Sequence, residues 1–151
     1  MTSTATALKK TDGYHILVVD DNKAHIRLLQ EAFRNTQNTP TIFSVQDGVD
    51  ALEYLYRQGK YAKATVPDLV LLDLNLPRKT GHEVLMEIKS DPHLKVIPIV
   101  ILSNSRRQED INNSYALHAN CYISKPSNLR ALFQVVQQIN SFWLDTVSLA
   151  I

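Results

Sequence analysis

Short unbroken apolar runs alternate along this chain with longer stretches in which apolar residues recur every three or four positions. The runs are His15–Asp20, Pro40–Val45, Asp68–Leu74, Pro98–Leu102 and Cys121–Ser124. Several are continuous rather than alternating, the mark of parallel strands covered on both faces. The intervening stretches read as helices. Ile26, Leu29 and Phe33 share one face of the first; Val49, Leu52, Leu55 and Tyr56 share one face of the second, with Asp47 placed to cap it. Val84, Leu85 and Ile88 mark the third, Gln108–Leu117 forms a weakly amphipathic fourth, and Leu129, Leu132, Phe133, Val136, Ile139 and Trp143 give the fifth its core stripe. Strict alternation of strand and helix predicts a doubly wound α/β sheet.

Length and composition narrow the class further. The 151 residues suit one domain with its own core, and 44% hydrophobic against 21% charged residues suits a folded chain. A net charge of +1 without a run of five like charges argues against nucleic-acid or membrane-surface partners. A single cysteine, Cys121, excludes an internal disulfide and fits a reducing compartment. The opening MTSTATALKKTDG lacks a signal-peptide core, and no stretch nears the roughly 18 apolar residues of a membrane span. The expectation is a cytoplasmic protein: a flexible tail over residues 1–13, then one domain over 14–151 with an extended C-terminal helix and no output domain.

The chemistry gathers at the strand tips. In doubly wound sheets, ligands bind outside the carboxyl ends of the strands, where strand order reverses. The first run ends in Asp20 and Asp21, the third in Asp73, the fourth in Ser103, and the fifth is followed by Lys125. Three carboxylates so close require a cation, and Mg²⁺ suits an all-oxygen shell. An ionised Asp73 beside a metal and an amine can attack phosphorus, while Lys125 and the Ser103 hydroxyl stabilise the transferring group. The five histidines, His15, His25, His82, His93 and His118, lack metal-ligand spacing and read as surface or edge residues.

The motifs VVDDN, LLDLNLPRKTG, ILSNS and YISKP, in that order, resemble those of the response-regulator receiver domain, over about residues 14–140. GVDALEYLYRQGKY, SDPHLKVIPIVILSNS and NSFWLDTVSL make the chain most similar to the stand-alone receivers that partner cyanobacterial phytochrome kinases. The resemblance implies a flavodoxin-like five-stranded parallel sheet in the order 2-1-3-4-5, and a histidine kinase, phytochrome-type, as partner. It implies Asp73 as phosphoacceptor, direct Mg²⁺ ligation by Asp21, Asp73 and the Asn75 backbone carbonyl, and a water-mediated role for Asp20. Lys125 and Ser103 match the family's lysine and hydroxyl positions, and Tyr122 its aromatic switch. Asn75 and Ser105 stand where acyl-phosphate hydrolysis is tuned. The family also implies a cis Lys125–Pro126 bond.

Two other functions compete. A phosphatase of the haloacid-dehalogenase type also uses a strand-tip Asp nucleophile with Mg²⁺, but needs an Asp two residues later, where Asn75 stands. A receiver-like scaffold that is never phosphorylated would have no use for the complete acidic set. A homodimer is also expected, through Ile111 and Tyr115 on the fourth helix and a second face of the fifth, Ala131, Val135 and Phe142, which one domain's core leaves uncovered.

Overall fold

In a computed structural model describing residues 13–150, five strands form one parallel sheet. They are β1 (His15–Val19), β2 (Thr41–Val45), β3 (Leu69–Leu72), β4 (Ile99–Ser103) and β5 (Cys121–Ser124), in the order β2-β1-β3-β4-β5. The expected tail over 1–13 falls, but for Gly13, outside the described residues. The helices are α1 (Lys23–Arg34), α2 (Gly48–Leu55), α3 (Gly81–Ser90), α4 (Gln108–Ala116) and α5 (Leu129–Ile139). None among the described residues is long and apolar enough to cross a membrane.

Side-chain alternation along the buried strands divides the core into two layers. Ile16, Val18, Leu69, Leu71, Val100 and Leu102 meet α1 and α5 on one face, together with Leu29, Phe33, Leu132 and Val136. Leu17, Val19, Val70, Leu72, Ile99 and Ile101 meet α2 and α3 on the other, with Leu52, Leu55, Val84, Leu85 and Ile88. Both faces of β1, β3 and β4 are thus apolar, which is why their sequences run without interruption.

The helix starts follow local chemistry. Asn22, Asp47 and Asn128 each accept a backbone N–H in the first turn of α1, α2 and α5. Thr80 and Glu83 form a reciprocal capping box on α3. Asp47 therefore caps α2 as its position predicts.

The end of α5 departs from the expected stripe. Leu129 is 53% exposed, because it is the first residue of α5 and precedes the turn that reaches the sheet. Beyond Ile139 the chain continues as a wider, π-type helix over Asn140–Thr146, in which Val147 N–H donates to Phe142 O across five residues. Widening the turn delays the return to the core side. Leu144, five residues after Ile139, is therefore buried, while Trp143, placed there by a 3.6-residue repeat, is half-buried. Val135 also differs from expectation: it is partly buried and packs against its own domain's core, whereas Phe142 is 52% exposed.

Candidate functional site

Parallel strands expose their carboxyl ends along one rim, and the chain turns into a loop immediately after each apolar run. The polar residue following β1, the one following β3, the last of β4 and the one following β5 therefore converge. Asp20, Asp73, Ser103 and Lys125 are all buried, at 2%, 6%, 0% and 7% exposure. Asp21 lies beside them, exposed.

Lys125 joins the acids. Its Nζ donates to Asp73 Oδ2 at 2.8 Å and to Asp20 Oδ2 at 2.9 Å. Burial pulls the ammonium's pKa down, but the bonds to Asp73 and Asp20 outweigh it and leave it above the ordinary lysine value. Burial likewise pushes Asp20 up. Hydrogen bonds from His25, the Asn22 N–H and Lys125 together more than reverse that, so its pKa lies below the usual carboxylate value. Asp73 is oriented by the Leu74 N–H, which donates to Oδ1 at 2.7 Å, with the Asn75 N–H farther off at 3.4 Å. Asp73 thus keeps one oxygen on the backbone and the other on the amine.

The acid set fits a metal. Ligand oxygens of Asp20, Asp21 and Asp73 lie within 4.8 Å of one another. Three carboxylates and one ammonium leave two negative charges in a largely buried pocket, the deficit that one hard divalent cation cancels.

The remaining predicted residues fall around this centre. Asn75 is exposed in the loop beyond Asp73. Ser103 Oγ accepts the Ser105 N–H at 3.2 Å, and the Ser105 hydroxyl donates to Asp110 at the start of α4. Tyr122 is half-buried; its hydroxyl donates to Ser105 O at 2.8 Å, and its N–H donates to Tyr115 Oη at 3.0 Å. Strand β5 is thereby tied both to the β4–α4 loop and to α4. Ile111 is half-buried and Tyr115 48% exposed on α4.

The expected cis Lys125–Pro126 bond is contradicted: no peptide bond among the described residues is cis. The Lys125 amine reaches both acids from a trans peptide. Local geometry therefore supplies no compulsion to leave the isomer favoured by about 0.5–1 kcal/mol.

Two contributions were not legible from spacing. His25, read from sequence as a surface or edge residue, places Nδ1 2.8 Å from Asp20 Oδ2. Its position five residues after Asp20, in the first turn of α1, is the only signal for it. Gly81 allows the β3–α3 loop to close on the site. A Cβ there would lie 2.2 Å from Asp73 O and 2.6 Å from Leu74 Cα. Gly81 N–H donates to Leu74 O at 2.8 Å across that approach.

This sheet order, with Asp73 bonded to Lys125 beside Asp20 and Asp21 at the strand tips, is the arrangement of a receiver, and the family model for the response regulator receiver domain matches residues 16–137. The chain belongs to that family. The match leaves the haloacid-dehalogenase reading without support. Response regulator Rcp1 of Synechocystis sp. is 48% identical, over 89% of this chain and 91% of that protein. The crystal structure of the phosphorylated cyanobacterial phytochrome response regulator RcpA superposes with a TM-score of 0.89 at 54% identity, covering 92% of this chain and 99% of that one. The Mn²⁺-bound form of Rcp1 superposes with a TM-score of 0.87 at 47% identity, covering 91% and 99%.

Proposed function

We propose that this protein takes a phosphoryl group from the phosphohistidine of a histidine kinase onto Asp73, and signals by the change of surface that follows. The observation that carries the proposal is the Asp73 carboxylate itself, buried at the tip of the central strand with Oδ1 on the Leu74 N–H and Oδ2 on Lys125. In the transfer, a carboxylate oxygen of Asp73 forms the new O–P bond as the N–P bond of the phosphohistidine breaks. The bonding pair returns to the imidazole, which is left able to take up a proton. Lys125 follows the incoming phosphoryl oxygens, and the Ser103 hydroxyl donates to one of them. Asp21, Asp73 and the Asn75 carbonyl would hold Mg²⁺ directly, with Asp20 acting through a water. That ion, when bound, offsets charge on the phosphoryl oxygens. The protein serves as a phosphoacceptor signalling module rather than a turnover enzyme.

Ser103 and Tyr122 form the switch in this reading. Ser103 now accepts from Ser105, whose carbonyl in turn holds the Tyr122 hydroxyl. Drawing Ser103 to the phosphoryl group perturbs that chain and lets the Tyr122 ring, already packed in part against the core, turn farther inward. The resulting change reaches α4, β5 and α5. A phytochrome-type kinase as donor is supported by the likeness to RcpA, described as a phytochrome response regulator. A homodimer through the α4–β5–α5 side is supported by the exposed rings of Tyr115 and Phe142. Ile111 and Val135 contribute at its base, where they are already partly buried.

Acetyl phosphate with Mg²⁺, followed by intact-mass measurement, tests the central claim. One phosphoryl group should accumulate on the wild type and none on Asp73→Asn. Stoichiometric labelling of Asp73→Asn at another residue, or no labelling of the wild type, would refute it. Steady consumption without accumulation would restore the phosphatase reading.

A further inference from the structure

His25 lies outside the four motifs, yet its side chain enters the acid site. Asp20 is held by three protein donors. The Asn22 N–H donates to Oδ1 at 2.9 Å, and both Lys125 Nζ and His25 Nδ1 approach Oδ2, at 2.9 and 2.8 Å. Asp20 and His25 have side-chain exposures of 3% and 14%, so solvent replaces neither partner cheaply. Helix α1 fixes the imidazole: Asn22 caps it by accepting the His25 N–H, and the ring is carried in the first turn.

We propose that His25 is a positioning residue for the divalent-cation site, donating its Nδ1–H to Asp20 Oδ2 and so fixing which Asp20 oxygen faces the metal. With Oδ2 taking both His25 and Lys125, and Oδ1 only the Asn22 N–H, Oδ1 is the oxygen with capacity left to meet the ion's shell, and the carboxylate cannot rotate without breaking all three bonds. The neutral imidazole suffices, because only the Nδ1 donor is used. His25 has a second role once a phosphoryl group sits on Asp73. Lys125 then turns toward the new oxygens, and His25 is the side-chain donor that keeps Asp20 Oδ2 partnered in its buried position. A hydrogen-bonding partner that orients a metal-associated carboxylate typically contributes about ten- to a hundred-fold in affinity.

This inference rests on the reading of the acid cluster as a metal site, and the test separates the two. Two substitutions of similar size contrast a side chain that keeps a donor with one that has none. In His25→Asn the amide nitrogen takes the place of Nδ1 on Cγ, and in His25→Leu a methyl group takes it. Mg²⁺ binding to the full chain is measured by titration calorimetry, with thermal melts as a control for folding. His25→Leu should bind Mg²⁺ about ten-fold more weakly, and His25→Asn should recover most of that loss. The labelling yield of each at saturating Mg²⁺ should differ less than its affinity. If the wild type binds no Mg²⁺, the metal reading fails. If it binds and His25→Leu matches it or binds more tightly, the role of His25 is overturned. Equal weakening in both variants also overturns it, because packing rather than donation would then be the cause. Should His25→Leu fold poorly, the comparison of His25→Asn with His25→Ala decides the question by the same criterion.

Discussion

Lys125→Met removes the ammonium that bridges two buried carboxylates. Methionine keeps the unbranched stem out to the ε position and lacks only the terminal ammonium, so the change is close to the deletion of one charge. In the wild type, Nζ donates at 2.8 Å to Asp73 and at 2.9 Å to Asp20, which are 6% and 2% exposed. Breaking a buried ion pair by removing one partner costs about 3–5 kcal/mol. Here the lower figure applies, because each carboxylate keeps other donors: Leu74 N–H on Asp73, and Asn22 N–H and His25 on Asp20. For a chain of this size, about 3 kcal/mol corresponds to a fall in Tm of roughly 6–12 °C. The pH profile adds a sign. Asp20 has a depressed folded pKa, so its pairing stabilises above the free value of 3.8 and is lost as pH falls through the folded value. Lys125 has a raised folded pKa, so its contribution is complete below 10.5 and is lost as pH rises through the folded value. The gap between wild type and variant should therefore be widest between those limits and close on the acid side. Mg²⁺ should narrow it too, since a ligand at about 100 times its Kd adds about 2.7 kcal/mol to the folded state, and the variant presents it with more unbalanced negative charge. Thermal melts at pH 7 and pH 3, with and without Mg²⁺, measure all of this. A variant that melts with the wild type at pH 7 in the absence of metal would show that the triad contributes no net stability.

Gly81→Ala forces a Cβ to within 2.2 Å of the Asp73 carbonyl, and overpacking of this kind costs about 1–3 kcal/mol; denaturant titration should show the loss, and acetyl phosphate labelling should slow as the Asp73 backbone shifts. A Tyr122→Phe change deletes the 2.8 Å bond to Ser105 O, worth about 0.5–1.5 kcal/mol. It should uncouple the ring from the β4–α4 loop, seen as a smaller change in aromatic NMR shifts when beryllofluoride is added. An identical Tyr122 rotamer with and without that mimic would end the switch reading. Phe142→Glu, at a ring 52% exposed, should weaken the proposed homodimer by at least 30-fold if that ring is an anchor worth about 2 kcal/mol. Sedimentation velocity reads this directly, and a wild type that is monomeric at high concentration rules the interface out.

Periodicity carried the strands and helices and their alternation, while the order of the strands in the sheet came from the family resemblance. A strand covered on both faces must be apolar at every position, so β1, β3 and β4 announced themselves. A helix lying on a sheet must repeat every three to four residues, so α1, α2, α3 and most of α5 did as well. The acid set was also legible, because the end of a parallel strand is a fixed place, and the next residue in the chain must sit at the rim. Asp20, Asp73, Ser103 and Lys125 meet for that reason. Other features needed the third dimension. His25 is set apart from His93 only by standing five residues after Asp20; it takes the folded turn from β1 into α1 to bring its imidazole to the carboxylate, while His93 stays on the surface. The burial of Leu144 in place of Trp143 depends on the pitch of the last turns, and a fixed 3.6-residue repeat cannot register a change of pitch. Val135 shows the same limit from the other side: its helical face is set by spacing, but whether that face meets its own core or solvent depends on how α5 is rolled against the sheet. Sequence specifies which residues share a face or a strand tip, because bond geometry sets those periods. Tertiary packing decides which faces touch, because that follows from contacts between residues far apart in the chain.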